Sequence, residues 1–352
     1  MQAGIIGMPG SGKTTVFRAL TGFAAGAPSG PRGRLVKGVV KVQDARLDDL
    51  GARYRPKKLT HAEVVFSDLP GPGQGDGGPV RSIQTSFVAD MRNMDLLVHV
   101  LREFDHPVTG PADPLGHLVT LREEMILWDL EVVEKRLARI KKGEHQNFPT
   151  ERAMLGTIHE ALSDARTIRS LELADDAAAN ISGFAFLTQK PHVVVLNRDD
   201  AAAGDPVPED ISSHPSNQAR AIIPLCARLE TELGEIDPQE RGPFMQEMGI
   251  ESAGTDVFVR EVYRALGLVS FFTTGGDEVR AWTVRAGTVA QKAAGKIHTD
   301  MERGFIRAEV FGYDEFVSAG DEAALKRAGR IRQEGKDYII RDGDILNIKF
   351  NV

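Results

Sequence analysis

The run GMPGSGKTT at residues 7–15, preceded by AGII and followed by VFRAL, decides the fold. It matches G-x-x-x-x-G-K-[ST], the pattern of a loop that wraps nucleotide phosphates. Ala3 to Ile6 reads as a short buried strand and Lys13 to Leu20 as the helix after the loop, the setting that this motif requires. Gly7 and Gly12 are read as positions whose dihedrals other residues avoid, turning the backbone of Pro9, Gly10, Ser11 and Gly12 onto phosphate. Lys13 brings a point charge to the β- and γ-phosphates, and Thr14 offers a hydroxyl to Mg2+. The helix that begins here, with Thr15 in its first turn, adds its positive dipole end. A small-molecule kinase, a GTPase switch and an ATPase all begin this way.

Three later loops narrow the choice. In VVFSDLPGPG (64–73) a D-x-x-G follows a strand. This puts Asp68 near the metal, holding Mg2+ through water, and Gly71 where its N–H can meet the γ-phosphate. Such a segment has two states, set by whether that phosphate is present. In VVVLNRDD (193–200) an N-x-x-D follows another apolar strand. Asn197 and Asp200 are read as holding a purine, the aspartate accepting from guanine N1 and N2, with the Arg198 stem over one face of the base. The backbone of Cys226 and Ala227, after Ile222 to Leu225, forms the last contact with the base. Four such loops in this order describe a switch-type P-loop NTPase and disfavour the kinase, which needs no base reader. The catalytic set is then Lys13, Asp68 and Gly71, and the metal set Thr14 and Asp68.

Composition agrees. The chain has 352 residues, enough for two or three domains. With 43 Lys and Arg against 50 Asp and Glu, the net charge is −7, which argues against a generally basic nucleic-acid binder. Cys226 is the single cysteine, so no internal disulfide and no multi-cysteine metal site can form. No apolar run approaches the roughly 20 residues that span a bilayer. The amino terminus enters a strand directly, without the layout of a signal peptide, so a cytoplasmic protein is expected, without membrane contact and as a monomer.

Short apolar strands separated by helices imply an α/β, mostly parallel sheet, assigned to residues 1–111 and 181–275. Between these halves, Ile126, Leu130, Val133, Leu137 and Ile140 form one helical stripe. Leu155, Ile158, Leu162 and Ala165 form a second, with Thr150 as its expected cap. An antiparallel helical hairpin is thus expected over 112–180. Its tip carries Lys135, Arg136, Arg139, Lys141 and Lys142, either a solvated face or a docking surface for RNA or a ribosomal protein. Residues 276–352 read as a small α+β domain, with Ile306, Ala308 and Val310 alternating as in a half-buried strand. Trp282 and His298 are read as packing or capping residues.

The carboxyl-terminal EVRAWTVRAGTVAQKAAGKIHTDMERGFIRAEV (278–310) and EGKDYIIRDGDILNIKFNV (334–352) resemble the end of the YchF/Obg-like ATPase family. The resemblance extends through RPKKLTHAEVVFSDLPG (55–71) and VVEKRL (132–137) to the phosphate loop, and so covers nearly the whole chain. It implies a G-domain with an inserted coiled coil and a carboxyl-terminal TGS domain, a β-grasp module. It also implies ATP hydrolysis and association with ribosomes through the coiled coil and the TGS domain. This chain departs from the family pattern in three places. Gly10 stands where the family has asparagine, residues 29–38 hold no threonine for Mg2+, and Asp200 replaces a glutamate. The shorter aspartate suits guanine while the family suggests adenine, so ATP and GTP both remain. Pro72, where many Ras-like GTPases place the water-orienting glutamine, implies slow hydrolysis. A non-catalytic nucleotide-gated adaptor is the main alternative, and a small-molecule kinase the lesser one.

Overall fold

A computed structural model describes residues 1–22, 35–70, 80–142, 149–171, 173, 175–202, 204–247, 250 and 252–351. Its strands are β1 (Gln2–Ile6), β2 (Val36–Lys41), β3 (Lys58–Thr60), β4 (Glu63–Asp68), β5 (Leu96–Arg102) and β6 (His192–Asn197), followed by β7 (Ile222–Leu225), β8 (Leu268–Gly275), β9 (Glu278–Arg285), β10 (Phe305–Gly312), β11 (Arg332–Glu334) and β12 (Asp344–Phe350). The chain divides into two compact units, one of residues 1–38 and 65–258, the other of 39–64 and 259–352.

The first unit is built on a sheet of order β2-β4-β1-β5-β6-β7. Strands β4, β1, β5, β6 and β7 run parallel. Every residue of β5 and β6 is buried, as expected of central parallel strands covered on both faces. The phosphate-loop strand β1 lies between β4 and β5, so the loops after β1, β4 and β6 open at one edge of the sheet, where ligands of such sheets bind.

The hairpin consists of helices Pro114–Lys141 and Pro149–Ser163. Asp113 caps the first, accepting the Gly116 N–H at 2.9 Å, with Pro114 in the first turn. The second begins at Pro149, which places Thr150 inside the helix rather than at its cap. Ile126 and Val133 meet Leu155, Ile158 and Leu162 in one apolar cluster, joined by Leu130, Leu137 and Ile140, as the stripe predicts. Buried Asp129 ties the long helix to the segment before β6, accepting from the N–H groups of Leu187 and Thr188 at 3.0 and 2.8 Å. Among the tip cations, exposed Lys135 pairs with Glu131 at 2.5 Å, as on a solvated face, whereas Arg136 is largely covered and pairs with Glu151 of the second helix at 2.7 Å.

The second unit has a sheet of order β11-β10-β12-β8-β9-β3. β8 and β9 form an antiparallel hairpin, β12 joins β8 in parallel, and β10 runs antiparallel to β12, the β-grasp arrangement. Helix Ala290–Ile297 lays Ala290, Ala293 and Ala294 onto this sheet, and such small side chains permit close approach. Ile306 departs from the expected alternation. A register shift between Phe305 and Arg307 leaves it 57 % exposed, while Ala308 and Val310 are fully buried. The unit also takes in residues 39–64, which the sequence had placed with the nucleotide domain. β3 pairs with β9, and Arg46 reaches Asp342 at 2.7 Å. His298 caps helix Thr299–Arg303, accepting the Asp300 N–H at 3.2 Å. No described helix is long and apolar enough to cross a membrane.

Candidate nucleotide-binding site

The loop after β1 turns through Gly10 and Gly12, whose φ angles are +78° and +83°. Gly12 also needs space, since a Cβ there would lie 2.2 Å from Asn197 Nδ2. Gly7 has no positive φ, contrary to the sequence reading. What excludes a side chain at Gly7 is the Val100 carbonyl, which an added Cβ would approach to 2.7 Å. Helix Lys13–Thr21 starts without a side-chain cap and without an acidic residue in its first turn. Its leading N–H groups, with Thr14 and Thr15 among the first residues, are therefore available to an anion. Pro9, Gly10 and Ser11 form the turn that precedes it, in which the Ser11 N–H donates to Met8 O at 3.1 Å. Lys13 is 6 % exposed, and burial lowers its ammonium pKa, opposed by the nearby Asp68.

The residues read as the metal set lie together. Thr14 Oγ1 donates to Asp68 Oδ2 at 2.9 Å, because the register Ile5↔Asp68 brings the end of β4 beside the end of β1. Burial raises the Asp68 pKa, against the Thr14 hydrogen bond and the charge of Lys13. Its Oδ1 is buried without a hydrogen-bond partner among the described residues, as is the Ser67 hydroxyl. An orphaned carboxylate oxygen beside a threonine hydroxyl is a donor set that fits Mg2+, which favours oxygen ligands and retained waters. Gly71 and Pro72 lie outside the described residues.

The third loop is braced to the first. Asn197, 4 % exposed at the end of β6, donates from Nδ2 to Ser11 O at 3.0 Å and accepts at Oδ1 from the Ala227 N–H at 3.2 Å. One amide thereby fixes the phosphate loop against the loop after β7. Arg198 does not take the expected place over a base. It is 3 % exposed, ion-paired to Glu103, and donates to the carbonyls of Asp205 and Pro206, the latter at 2.8 Å. A guanidinium at the end of a fully buried strand needs acceptors around it, and the turn after Asp199 supplies them. Asp200 points the other way. The Cys226 thiol donates to its Oδ1 at 2.8 Å, and Arg228 pairs with its Oδ2.

Two contacts around these loops lie outside the sequence reading. Arg102 is buried and holds the following loop by donating to the carbonyls of Phe104, Gly110 and Pro111 at 2.6–2.8 Å. That loop brings Thr109 so near the phosphate loop that a Cβ on Gly10 would lie 2.9 Å from its hydroxyl. The signal in the sequence was an arginine closing the apolar run LLVHVLR. The pairing of Arg228 with Asp200 is the other. The position of Arg228 after a base loop gave no sign of a bond reaching back to Asp200.

A phosphate loop, a hydrogen-bonded threonine–aspartate pair and a braced N-x-x-D loop on a parallel sheet, with a helical hairpin and a β-grasp unit, define a P-loop NTPase of the G-domain class. Residues 2–127 match a family model described as a 50S ribosome-binding GTPase, and residues 268–351 match the YchF GTPase carboxyl-terminal model, described as a protein of unknown function. The chain is 34 % identical to the ribosome-binding ATPase YchF of Bacillus subtilis over the full length of both. It is 36 % identical to that of Pasteurella multocida, covering 100 % of this chain and 99 % of the relative. The structure of the Schizosaccharomyces pombe YchF GTPase superposes with a TM-score of 0.84 at 27 % identity, covering 99 % and 97 % of the two chains. The chain belongs to the YchF family.

Proposed function

We propose that this protein is a nucleotide-dependent switch that binds ATP or GTP with Mg2+, hydrolyses it slowly, and acts with the ribosome. The observation that carries the reading is the contact of Thr14 with Asp68, directly beside the buried Lys13. In it the loop that takes phosphate and the strand that leads into the D-x-x-G segment share one polar centre. Mg2+ would be held by the Thr14 hydroxyl and, through water, by Asp68, and would offset charge on the phosphates. Lys13 stabilises charge on the transferring phosphoryl group, and Gly71 is the group proposed to sense it. Asn197, Asp200 and the backbone of Cys226 and Ala227 bound the space for the base.

Relatives named as ribosome-binding ATPases support the ribosome as partner and water as phosphate acceptor. Arg139, Lys141 and Lys142, which have no ion-pair partner among the described residues, and separately the β-grasp unit are the proposed contact surfaces. Slow turnover follows from Pro72, which has no side-chain group to orient an attacking water.

Single-turnover assay with protein in excess over γ-labelled ATP or GTP tests this reading. The expectation is phosphate released to water more slowly than about one per second, below the range of kinases. Binding without release would favour the non-catalytic adaptor. Label transferred to an acceptor other than water would favour the kinase.

A further inference from the structure

We propose that Arg228 makes this base site select adenine over guanine, by turning the acceptor edge of Asp200 into a donor edge. The inference rests on the nucleotide-switch reading above and concerns the base loop alone.

An ionised aspartate in an N-x-x-D loop suits guanine because it offers two acceptor oxygens to the N1–H and the N2 amino group. In this chain each oxygen already accepts from one protein donor. Oδ1 accepts the Cys226 thiol at 2.8 Å, and Oδ2 is paired with the Arg228 guanidinium. The Cys226 hydrogen bond first, and then the charge of Arg228, hold the Asp200 carboxyl below its ordinary pKa, so the group stays ionised and remains a partner for both. Burial and the bond to Asp200 push the thiol up to about 11, so it remains a donor near neutrality.

A guanine would have to share these oxygens with the two donors. It would also bring its N1–H toward a guanidinium, which has five donors and no acceptor. Adenine differs at that position. Its N1 carries no hydrogen and accepts, and it has no 2-amino group. At N1 and the 2-position, a guanidinium held across the carboxylate therefore complements adenine and opposes guanine, a discrimination that uses mismatch as well as attraction.

The placement suits such a role. Arg228 follows Ala227, whose N–H is fixed by Asn197, so its backbone is tied to the phosphate loop through one side chain. Its own side chain is 72 % exposed and Asp200 is 41 % exposed, so both face space that a base can enter. Glu232, with Oε1 3.6 Å from Arg228 Nε, steers the guanidinium from the other side. This side chain explains how a chain with aspartate in the base loop can use ATP.

The test is calorimetric titration of the full chain with ADP and with GDP, each with Mg2+, for wild type, Arg228→Ala, Arg228→Lys, Asp200→Ala and the Asp200→Ala/Arg228→Ala double variant. Because Arg228 is exposed, its removal should leave the thermal midpoint unchanged, which a melt verifies. The expected result is tighter ADP binding by the wild type. In Arg228→Ala the ADP-to-GDP affinity ratio should move toward GDP by roughly tenfold, the scale of one good hydrogen-bonded pair. Arg228→Lys should fall between them, and in the Asp200→Ala background removal of Arg228 should have no further effect on the ratio. A ratio in Arg228→Ala within twofold of wild type, or a wild type that prefers GDP, overturns the assignment while leaving the nucleotide site standing. Failure of the wild type to bind either nucleotide overturns both.

Discussion

Asn197 joins two loops that are far apart in the chain, donating to the carbonyl of Ser11 at 3.0 Å while its oxygen takes the Ala227 N–H at 3.2 Å. The contact is so close that Gly12 has no room for a methyl group. The residue at the head of the N-x-x-D loop therefore shapes the phosphate loop as well as the base loop.

Asn197→Ala should weaken ADP binding and stability together. It leaves a buried carbonyl and a buried N–H unpaired, at about 1–3 kcal/mol each when water cannot reach them. Calorimetry and a chemical melt on the same preparation check this. A loss of affinity with an unchanged melt would confine Asn197 to the ligand.

Glycines 7 and 12 should respond differently to alanine. Gly12→Ala combines a positive φ, costing about 1–2 kcal/mol, with a collision against the Asn197 amide. Gly7→Ala meets a carbonyl of the central strand β5, which cannot move aside as a side-chain end can. Both should lower the melting midpoint, and Asn197→Ser should partly rescue Gly12→Ala but not Gly7→Ala.

Asp68→Asn should separate metal binding from folding. The amide keeps an acceptor for Thr14 and removes a carboxylate whose ionised form burial disfavours, so stability should hold or rise. The Mg2+-dependent part of the affinity for a non-hydrolysable triphosphate should fall by about tenfold or more. Titration with and without Mg2+ measures it, and Thr14→Val should behave alike.

Acid should destabilise the first unit through two histidines. His99 and His192 are buried and stacked, with ring centroids 5.8 Å apart. Burial and nearby His117 lower the His99 pKa to about 3, and burial, Arg169 and His99 lower that of His192. The folded values lie below the unfolded 6.5. The unfolded chain thus takes up protons first, and stability present above pH 6.5 is lost as pH falls toward the folded values. Each histidine contributes a slope of up to about 1.4 kcal/mol per pH unit in that window. Denaturant midpoints from pH 7.5 to 5 should fall, and less steeply in His99→Leu.

Much of this was legible in the sequence, for reasons that differ from residue to residue. That Thr14 and Asp68 lie side by side, next to Lys13, was legible because loop spacing and strand ends are local signals. The stripe from Ile126 to Ile140 was found because packing repeats it at helical period. Arg198 was misplaced because its burial depends on Glu103, 95 residues earlier in the chain. Ile306 was misplaced because one irregular pair in the ladder reverses a strand's faces without changing its composition. The transfer of residues 39–64 to the second unit rests on a strand of three residues pairing more than 200 positions away, and no periodicity announces that.

The account stands or falls on phosphate binding at residues 7–15, and Lys13→Met tests it most directly. Methionine fills the same buried space without a charge, so the variant should melt at or above the wild-type midpoint. In calorimetric titration with ADP and Mg2+, the wild type should bind and Lys13→Met should lose affinity by about tenfold or more. Equal affinities in the two folded proteins would contradict the claim that nucleotide phosphates sit in this loop.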